Sequence, residues 1–474
     1  MSAPRSTWTN QFAFILASAA SAIGLGNLWR FPYLAAQYGG GMFILVYLLL
    51  VVTLGFTLMV TEIAIGRKTQ QSQLTAYGRL DRRFGFLGPL ATIIPLLILP
   101  YYCVIGGWVL KYAVTYFRMA FGGADALADP AAFFGDFIGS PFAPFAYAML
   151  FILLGAGVIV LGVRRGIEKS NTVMMPLLFL MALGICVYVC TLPGAGDGIR
   201  YYLVPNLDCV RGPDGAFSVA LLGKTFLGAM GQMFYSLSIA MGILITYGSY
   251  MRKSDSIERS VRHIELFDTL IAIVAGLMII PVVHLFAVKT GTPVKEAMNA
   301  GPGLMFITLP KVFADFGGAA AWFGLAFFLL VTFAALTSAI SLYEACVSTL
   351  CDALGLKRLH ATFFTFFLVA FLATFSALGY GPWSHVTLFG MQLLDFFDFI
   401  TNSVLMPIAA VLTCLFIGWF IRPKAIIDEV QLEGHPFAAA ALYRVMVRYV
   451  APLLIAGILV SEICRALGVG GWAI

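Results

Sequence analysis

The sequence predicts an all-α protein that crosses a membrane many times. Of its 474 residues, 61% are hydrophobic and only 11% are charged, whereas soluble proteins carry roughly 25% charged residues. The mean hydropathy is +0.93, and apolar stretches of about 20 residues, the length of one helical crossing, recur along the chain. The net charge of +6 is spread between these stretches and so does not indicate a nucleic-acid partner.

Counting roughly 20 apolar residues per crossing gives eleven spans. In chain order they lie at about 11–37, 41–68, 88–118, 143–163, 168–192, 217–251, 258–288, 319–354, 360–377, 386–421 and 440–466. The longer polar pieces, 119–142, 193–216 and 289–318, all fall on one side of the membrane.

The first ten spans divide into two halves of five. An odd number of spans per half forces opposite orientations, which is the inverted repeat of many transporters. We therefore expect a first repeat at 1–192, an extracellular loop at 193–216, a second repeat at 217–421, and span 11 with the C-terminus at 422–474.

The positive charges predict the orientation. With the N-terminus in the cytoplasm, 19 of the 29 Lys and Arg residues lie at inner ends or inner loops, as the positive-inside rule requires. Eleven spans then put the C-terminus outside. The stretch after residues 1–10 is too long for a cleavable signal peptide, so we expect a multi-pass protein of the cell membrane.

Polar residues interrupt span 1. The segment Ser21–Gly41 reads SAIGLGNLWRFPYLAAQYGGG and places Gly24, Gly26, Asn27 and Arg30 in an apolar surrounding. Polar groups at membrane depth usually face a protein interior or a water-filled path. Glycines let a helix open there, so that its freed carbonyls and amides can hold ions and solutes.

Span 6, the equivalent span of the second half, is interrupted as well. The segment Gly231–Tyr250 contains Ser236, Ser238, Ala240 and Gly242. Two interrupted helices at equivalent positions predict a transport site. Their free carbonyls suit a hard cation such as Na⁺, and free amides at the start of a half-helix suit a carboxylate.

Several motifs together are similar to those of one family. They are NLWRFPY, GGG and TEIAIGR in spans 1 and 2, GQMFYSLS in span 6 and LTSAISL in span 8. The chain resembles the neurotransmitter:sodium symporter family, in its bacterial, leucine-transporter-like amino-acid branch. The resemblance implies symport of a small-molecule amino acid with Na⁺ by alternating access, and no enzymatic activity.

The resemblance implies two sodium sites. Sodium 1 would be held by Ala22, Asn27, Ser236 and Asp268, with the substrate carboxylate completing its shell; sodium 2 would be held by Ala20, Ile23, Ala334, Thr337 and Ser338. The alternative for the hydroxyl groups is a hydrogen bond to the carbonyl four residues earlier, which is common for Ser and Thr in membrane helices.

Asp268 bears on chloride. Chloride-dependent relatives have Asn at this position and Ser four residues later, where this chain has Ala272. The other positions of their chloride site, Tyr47, Gln232 and Ser236, are present. We infer that the Asp268 carboxylate supplies the negative charge, so that no chloride is required; the alternative is a structural ion pair.

Gly24 bears on the substrate. Monoamine transporters have Asp at this position, so glycine leaves the negative charge to the substrate and points to an amino acid. The implied pocket comprises Ala22, Gly24, Leu25, Gly26, Ile98, Tyr101, Tyr102, Tyr235, Ser236, Ser238, Met241, Ser338 and Leu342. None of these is charged, and burying an unpaired charge there costs several kcal/mol. We expect neutral, hydrophobic amino acids.

The resemblance also implies two gates. The outer gate would pair Arg30 with Asp398, with Asp395 as the alternative partner, and the inner gate would join Arg5 and Trp8 to Asp352. Glu62 on span 2 is expected to bond the amides of the broken span 1. A channel or receptor is the first alternative, but the filter-like repeat that a channel needs is not visible in the sequence. An intramembrane enzyme is the second, but the five histidines are scattered.

Overall fold

The computed structural model describes residues 6–212, 215–298 and 301–466, and most of them are helical. Within these ranges the only paired strands are Thr387–Leu388 and Met391–Gln392, which form a small antiparallel hairpin with Thr387 opposite Gln392. The all-α prediction is confirmed.

The first five spans and their connections are helical segments. They are Gln11–Ala22, Gly26–Arg30 and Phe31–Gln37 in span 1; Gly41–Leu50, Val51–Gly55 and Phe56–Thr69 in span 2; Gln73–Leu80 and Arg82–Phe84 between spans; Leu87–Ala120 in span 3; Pro130–Gly139 in a loop; Ala143–Val160 in span 4; Val163–Glu168 and Lys169–Cys190 in span 5; and Ala195–Leu203 and Leu207–Val210 after it.

The second half has the same character. Its segments are Val219–Ser236 and Ile243–Gly248 in span 6; Ile257–Thr290 in span 7; Val294–Ala297, Leu304–Thr308, Leu309–Ala314 and Gly317–Ala319 in the following loop; Ala320–Leu354 in span 8; Arg358–Leu378 in span 9; Leu393–Asp398, Phe399–Leu405, Met406–Leu415 and Phe416–Ile421 in span 10; Lys424–Val430 and Leu432–Gly434 after it; and Ala440–Val445, Met446–Val450 and Ala451–Ala466 in span 11.

Within the described residues, nine of the eleven expected spans are helices long and apolar enough to cross a membrane. A tenth, span 1, qualifies only as a bent pair, Gln11–Ala22 and Gly26–Gln37, with 54° between its halves. In the described part of the chain, span 6 is not a single helix long and apolar enough to cross a membrane, because residues 237–242 divide it into two helices. Span 10 starts at Leu393 rather than at 386, since the strand hairpin occupies the residues before it.

The spans form an inner and an outer layer. In spans 3 and 8 the most apolar stretch is 78% buried inside the protein, whereas in span 11 it is 22% buried and in span 5 it is 33% buried. Spans 3 and 8 pack against each other and span 1 packs against span 8. Lipid-facing helices can stay apolar and exposed because the bilayer covers them.

The two ends of the spans differ. On one face, called here the loop-rich face, Gly40 pairs with Pro205 and the Gln37 side chain donates to the Lys295 carbonyl at 2.9 Å. On the opposite face, called the N-terminal face, the Trp8 amide donates to the Tyr250 carbonyl at 3.1 Å.

Candidate functional site

Span 1 is broken where the glycines predict it. The first helix ends at Ala22, Ile23 is extended with φ −75° and ψ 96°, and helical structure resumes at Gly26. A Cβ atom on Gly24 would lie 2.7 Å from Ser338 Oγ and 3.1 Å from the Tyr102 hydroxyl. A side chain at this position would therefore require the Ser338 hydroxyl to move.

Span 6 is broken by three residues with positive φ, namely Ser238 at 54°, Ala240 at 61° and Gly242 at 71°. The Ala240 amide, freed by the break, donates to Glu62 Oε1 at 2.7 Å. Glu62 therefore bonds an amide of the broken span 6. The sequence predicts a bond to the broken span 1 instead. The Glu62 Oε2 atom is buried and has no partner in the described part of the chain.

A cavity of about 30 Å³ lies between the two breaks. Twelve of the thirteen expected pocket residues line it, together with Asn27, Ser21 and Ile243. The exception is Tyr101, whose hydroxyl instead accepts from Asn402 Nδ2 at 3.2 Å and lies 3.4 Å from Thr401. Ser21 and Ile243 flank the breaks directly, and this adjacency is the signal by which the sequence could have shown them.

The polar groups of the cavity are few and uncharged. The hydroxyl of Tyr102 is buried and has no hydrogen-bond partner among the described residues. The hydroxyls of Ser238 and Ser338 both donate to the Ser21 carbonyl, at 3.2 and 3.0 Å. Among the described residues, no Asp, Glu, Lys or Arg lines the cavity, so it suits a ligand that brings its own pair of charges and an uncharged side chain.

The residues expected at sodium 1 form one hydrogen-bonded cluster. Asn27 Nδ2 donates to Asp268 Oδ1 at 2.8 Å and to Ser236 Oγ at 3.0 Å. The Ser236 hydroxyl in turn lies 2.9 and 3.0 Å from the two Asp268 oxygens. Asp268 is fully buried and has no ion pair with a described residue, so a cation is the charge partner that its surroundings lack.

Two of the three expected chloride positions, Tyr47 and Ser236, contact the same carboxylate. The Tyr47 hydroxyl donates to Asp268 Oδ2 at 3.1 Å, so two hydroxyl donors already point at a fixed negative charge. Gln232 is also buried nearby, but its amide donates to the Gly26 carbonyl at 3.1 Å. Asp268 thus uses the donors that an anion would need.

The residues expected at sodium 2 join spans 1 and 8. The Thr337 hydroxyl donates to the carbonyls of Phe333 and Ala334, both at 3.0 Å. The Ser338 hydroxyl lies 3.4 Å from the Ile23 carbonyl, and Ala20 is buried in the last turn of the first helix. Both hydroxyls therefore lie beside carbonyl oxygens, although Thr337 makes the local bond typical of membrane helices.

A second cavity, of about 490 Å³, lies on the loop-rich side of Tyr235, and this tyrosine lines both cavities. Arg30 and Asp398 line the larger cavity but form no ion pair within 4 Å. Arg30 lies 5.8 Å from the centre of the Tyr235 ring, and Asp398 accepts from Asn402 Nδ2 at 2.6 Å. Asp395, the alternative partner, accepts from the Tyr380 hydroxyl instead.

The N-terminal face is closed by Trp8. Its side chain is fully buried, and its ring nitrogen donates to the Tyr247 carbonyl at 3.0 Å. The ring packs edge-on against Tyr247 and Tyr250. Asp352 accepts from the Ser72 amide at 2.7 Å, and Arg5, the other expected inner-gate residue, lies outside the described residues.

A buried ion pair beneath Trp8 escaped the sequence analysis. Glu344 is fully buried and accepts from the Tyr250 hydroxyl at 2.7 Å. Arg358 donates to both Glu344 oxygens and to the Ile159 carbonyl. The pair connects span 8, the start of span 9 and the end of span 4. A carboxylate in the apolar run of span 8 was the signal that it needed a basic partner.

The comparisons with known proteins agree over nearly the whole chain. Residues 5–125 and 138–470 match the sodium:neurotransmitter symporter family. YhdH of Bacillus subtilis, an uncharacterised sodium-dependent transporter, is 34% identical over 94% of this chain and 95% of its own length. Human sodium- and chloride-dependent GABA transporter 2 is 26% identical over 90% of this chain and 75% of its own length.

A solved structure is similar as well. The crystal structure of MhsT in complex with L-phenylalanine is 32% identical in sequence, with a TM-score of 0.84, and the match covers 97% of this chain and 100% of that one. The broken helices, the buried polar cluster and the sequence matches lead to one conclusion. The chain belongs to the sodium:neurotransmitter symporter family, which consists of sodium-coupled membrane transporters and not of enzymes.

Proposed function

We propose that this protein couples Na⁺ to the transport of neutral, hydrophobic L-amino acids across the cell membrane, by alternating access and without chloride. The observation that carries the proposal is the cavity between the two breaks. It offers the unpartnered hydroxyl of Tyr102 and no charged side chain. The ligand therefore has to supply both charges of its backbone and an uncharged side chain.

The zwitterion has a place for each end. The amides that open at Leu25 and Gly26 and the Tyr102 hydroxyl suit the carboxylate. The carbonyl of Ala22 and the hydroxyl of Ser338 suit the ammonium. The apolar side chain would contact Ile98, Met241 and Leu342. MhsT, the structural relative, holds L-phenylalanine, which supports the same substrate class here.

The site has to expand to take an amino acid. A volume of about 30 Å³ is room for about two water molecules. Tyr235 covers Gly26 so closely that an added Cβ would lie 2.5 Å from its ring, and Met241 has a flexible side chain that adapts to its neighbours. We infer that Tyr235 swings toward the larger cavity when substrate enters.

Sodium is a substrate of the same cycle. At the Asp268 cluster the Asn27 amide nitrogen lies between a carboxylate oxygen and a hydroxyl oxygen, as a small cation would. Turning the amide presents its oxygen to the ion instead, and the substrate carboxylate completes the shell. A second ion is proposed between the carbonyls of span 1 and the hydroxyls of Thr337 and Ser338.

Alternating access follows from the two faces. The inner side is closed by Trp8 and the Glu344–Arg358 pair, whereas the large cavity lies beyond Tyr235 on the loop-rich face. We take that face as extracellular and the N-terminal face as cytoplasmic, in keeping with the positive charges there. Sodium and substrate would fix the broken helices, the outer side would close, and the inner contacts would then release.

The experiment is uptake by proteoliposomes containing the purified protein. Labelled leucine is supplied with Na⁺ or choline, with chloride or gluconate, and with each of the twenty amino acids as competitor. We expect uptake to require Na⁺, to persist in gluconate, and to be inhibited by neutral hydrophobic amino acids only. Competition by Lys or Glu, or a large loss of uptake in gluconate, would contradict the proposal.

A further inference from the structure

Three arginines lie at the edge where spans 10 and 11 reach the N-terminal face. Arg422 directly follows Phe416–Ile421, the last segment of span 10. Arg444 and Arg448 are one helical turn apart on span 11. Among the described residues, none of the three forms an ion pair within 4 Å. We call this group the arginine edge.

The geometry of the two spans brings the three together. Met406–Leu415 packs on Ala451–Ala466, and the segments that continue them also pack on each other, so the spans are antiparallel. Gly418 lies against Arg448, since a Cβ on it would be 3.1 Å from the Arg448 Cα. Arg422 lies four residues after Gly418 on span 10, and Arg444 lies four residues before Arg448 on span 11. These two therefore lie at the same depth.

Aromatic rings hold Arg448 at the level of the bilayer surface. Its guanidinium carbon is 5.0 Å from the centre of the Trp419 ring and 5.9 Å from that of Tyr449, and the Trp419 ring nitrogen donates to the Arg448 carbonyl at 3.1 Å. The two rings are 51% and 48% exposed. Trp and Tyr concentrate where the membrane meets water, so this edge faces lipid headgroups.

The guanidinium groups of the three arginines make no hydrogen bond to another described residue. The Arg448 Nε atom is buried, so a ligand from outside reaches the terminal nitrogens of that side chain. Arg422 has φ +70°, an unfavourable backbone conformation that persists only where the surroundings impose it. Glu429, on the helix that follows span 10, forms ion pairs with Arg67 and Lys68 instead.

We propose that the arginine edge binds the phosphate of an anionic phospholipid. A guanidinium presents paired N–H groups that match a phosphate, and it stacks on aromatic rings. Trp419 and Tyr449 then contact the glycerol and the first part of the acyl chains. Arginines at span ends also fix orientation, but an exposed end such as Arg165 has no contact with an aromatic ring among the described residues.

The test is lipid retention by the full-length protein in nanodiscs of phosphatidylcholine with a minority of phosphatidylglycerol. Native mass spectrometry counts the phosphatidylglycerol molecules that stay bound at a given collision energy. We expect one tightly held phosphatidylglycerol in the wild-type protein. In the triple variant Arg422→Gln, Arg444→Gln, Arg448→Gln, its retention should fall about tenfold or more, because each basic residue contributes to binding an anionic headgroup.

Arg165→Gln is the matched control, since it removes one exposed arginine from the same face and should retain the lipid. Na⁺-dependent leucine binding, measured on the same samples, should be unchanged in every variant, because the arginine edge is outside the transport site. Equal retention by the triple variant and the wild type would overturn the proposal. The proposal would also be overturned if soluble glycerol 3-phosphate stabilised the detergent-purified protein against heat as much as phosphatidylglycerol does, since the site would then take free phosphate.

Discussion

Two adjacent tyrosines on span 3 have hydroxyls in different surroundings. Tyr102 faces the cavity with its hydroxyl unpartnered, whereas the Tyr101 hydroxyl is bonded to Asn402. Successive residues on a helix point about 100° apart. Both tyrosines were predicted to line the pocket, whereas the structure places the Tyr101 hydroxyl against span 10.

This difference predicts opposite phenotypes for two similar variants. Tyr102→Phe should leave thermal stability unchanged and weaken substrate binding about 10- to 100-fold, because a hydrogen bond to a charged group contributes about 1.5–3 kcal/mol. Tyr101→Phe should lower stability by about 1 kcal/mol and leave affinity unchanged. Equilibrium binding of labelled leucine and thermal unfolding measure both quantities. Equal losses of affinity in the two variants would contradict the assignment.

Asp268 gives the second prediction at this scale. In Asp268→Asn the cluster loses its charge, so Na⁺-dependent binding in chloride-free buffer should fall at least about 100-fold, the cost of breaking a buried charge cluster being about 3–5 kcal/mol. Adding Ala272→Ser should restore binding when chloride is present, because the Tyr47 and Ser236 hydroxyls would then face an anion. Ala272→Ser alone is the control. A double variant indifferent to chloride would refute this reading.

At the scale of the element, the break in span 6 depends on backbone conformation. Ala240 has φ +61°, which costs an L-residue about 1–2 kcal/mol. Ala240→Gly should therefore raise stability by about 1 kcal/mol. The same change at Ala229, inside the helix Val219–Ser236, should lower stability by about 1 kcal/mol. Thermal unfolding of both variants checks the opposite signs, and a loss in both would show that Ala240 is not strained.

The Glu344–Arg358 pair ties spans 8 and 9 together beneath Trp8. Arg358→Gln leaves the fully buried Glu344 carboxylate without its cation, which should cost about 3–5 kcal/mol. Replacing both residues by Met should cost less, because no buried charge is then left uncompensated. Lys357→Gln, an exposed neighbour, should change little. If the double variant were the less stable one, the pair would contribute net stability rather than fix the geometry of the closed inner side.

The elements themselves were largely predictable from the sequence. Long apolar runs fix nine spans, and the glycines at Gly24 and Gly26 locate the bend in span 1. The division of span 6 was predicted from small and polar residues, but not that Ser238 and Ala240 would adopt positive φ. Contacts between distant elements were harder. Glu62 was expected to bond span 1 but bonds span 6. A side chain between two broken helices can bond either one, and hydropathy does not indicate which.

At the scale of the whole molecule, the proposed arrangement connects ion and substrate through shared ligands. In the proposed sodium 1 site, Asp268, Asn27 and the substrate carboxylate surround one ion. Because the ion would need one carboxylate from the protein and one from the substrate, its site is incomplete without bound substrate. The sequence predicted these residues as a set by family resemblance, whereas their mutual hydrogen bonds, 2.8–3.0 Å between Asn27, Ser236 and Asp268, come only from the fold.

This arrangement predicts reciprocal coupling. Saturating Na⁺ should raise leucine affinity by a factor in the usual range of about 5–150, and saturating leucine should raise Na⁺ affinity by the same factor, since linkage requires equality for binding at equilibrium. Scintillation proximity and isothermal calorimetry on the purified protein measure the two factors separately. Asp268→Asn should bring both factors toward one together, whereas Tyr101→Phe should leave both unchanged. Coupling factors that stay unchanged in Asp268→Asn would contradict the shared ion, and would place the sodium away from the substrate.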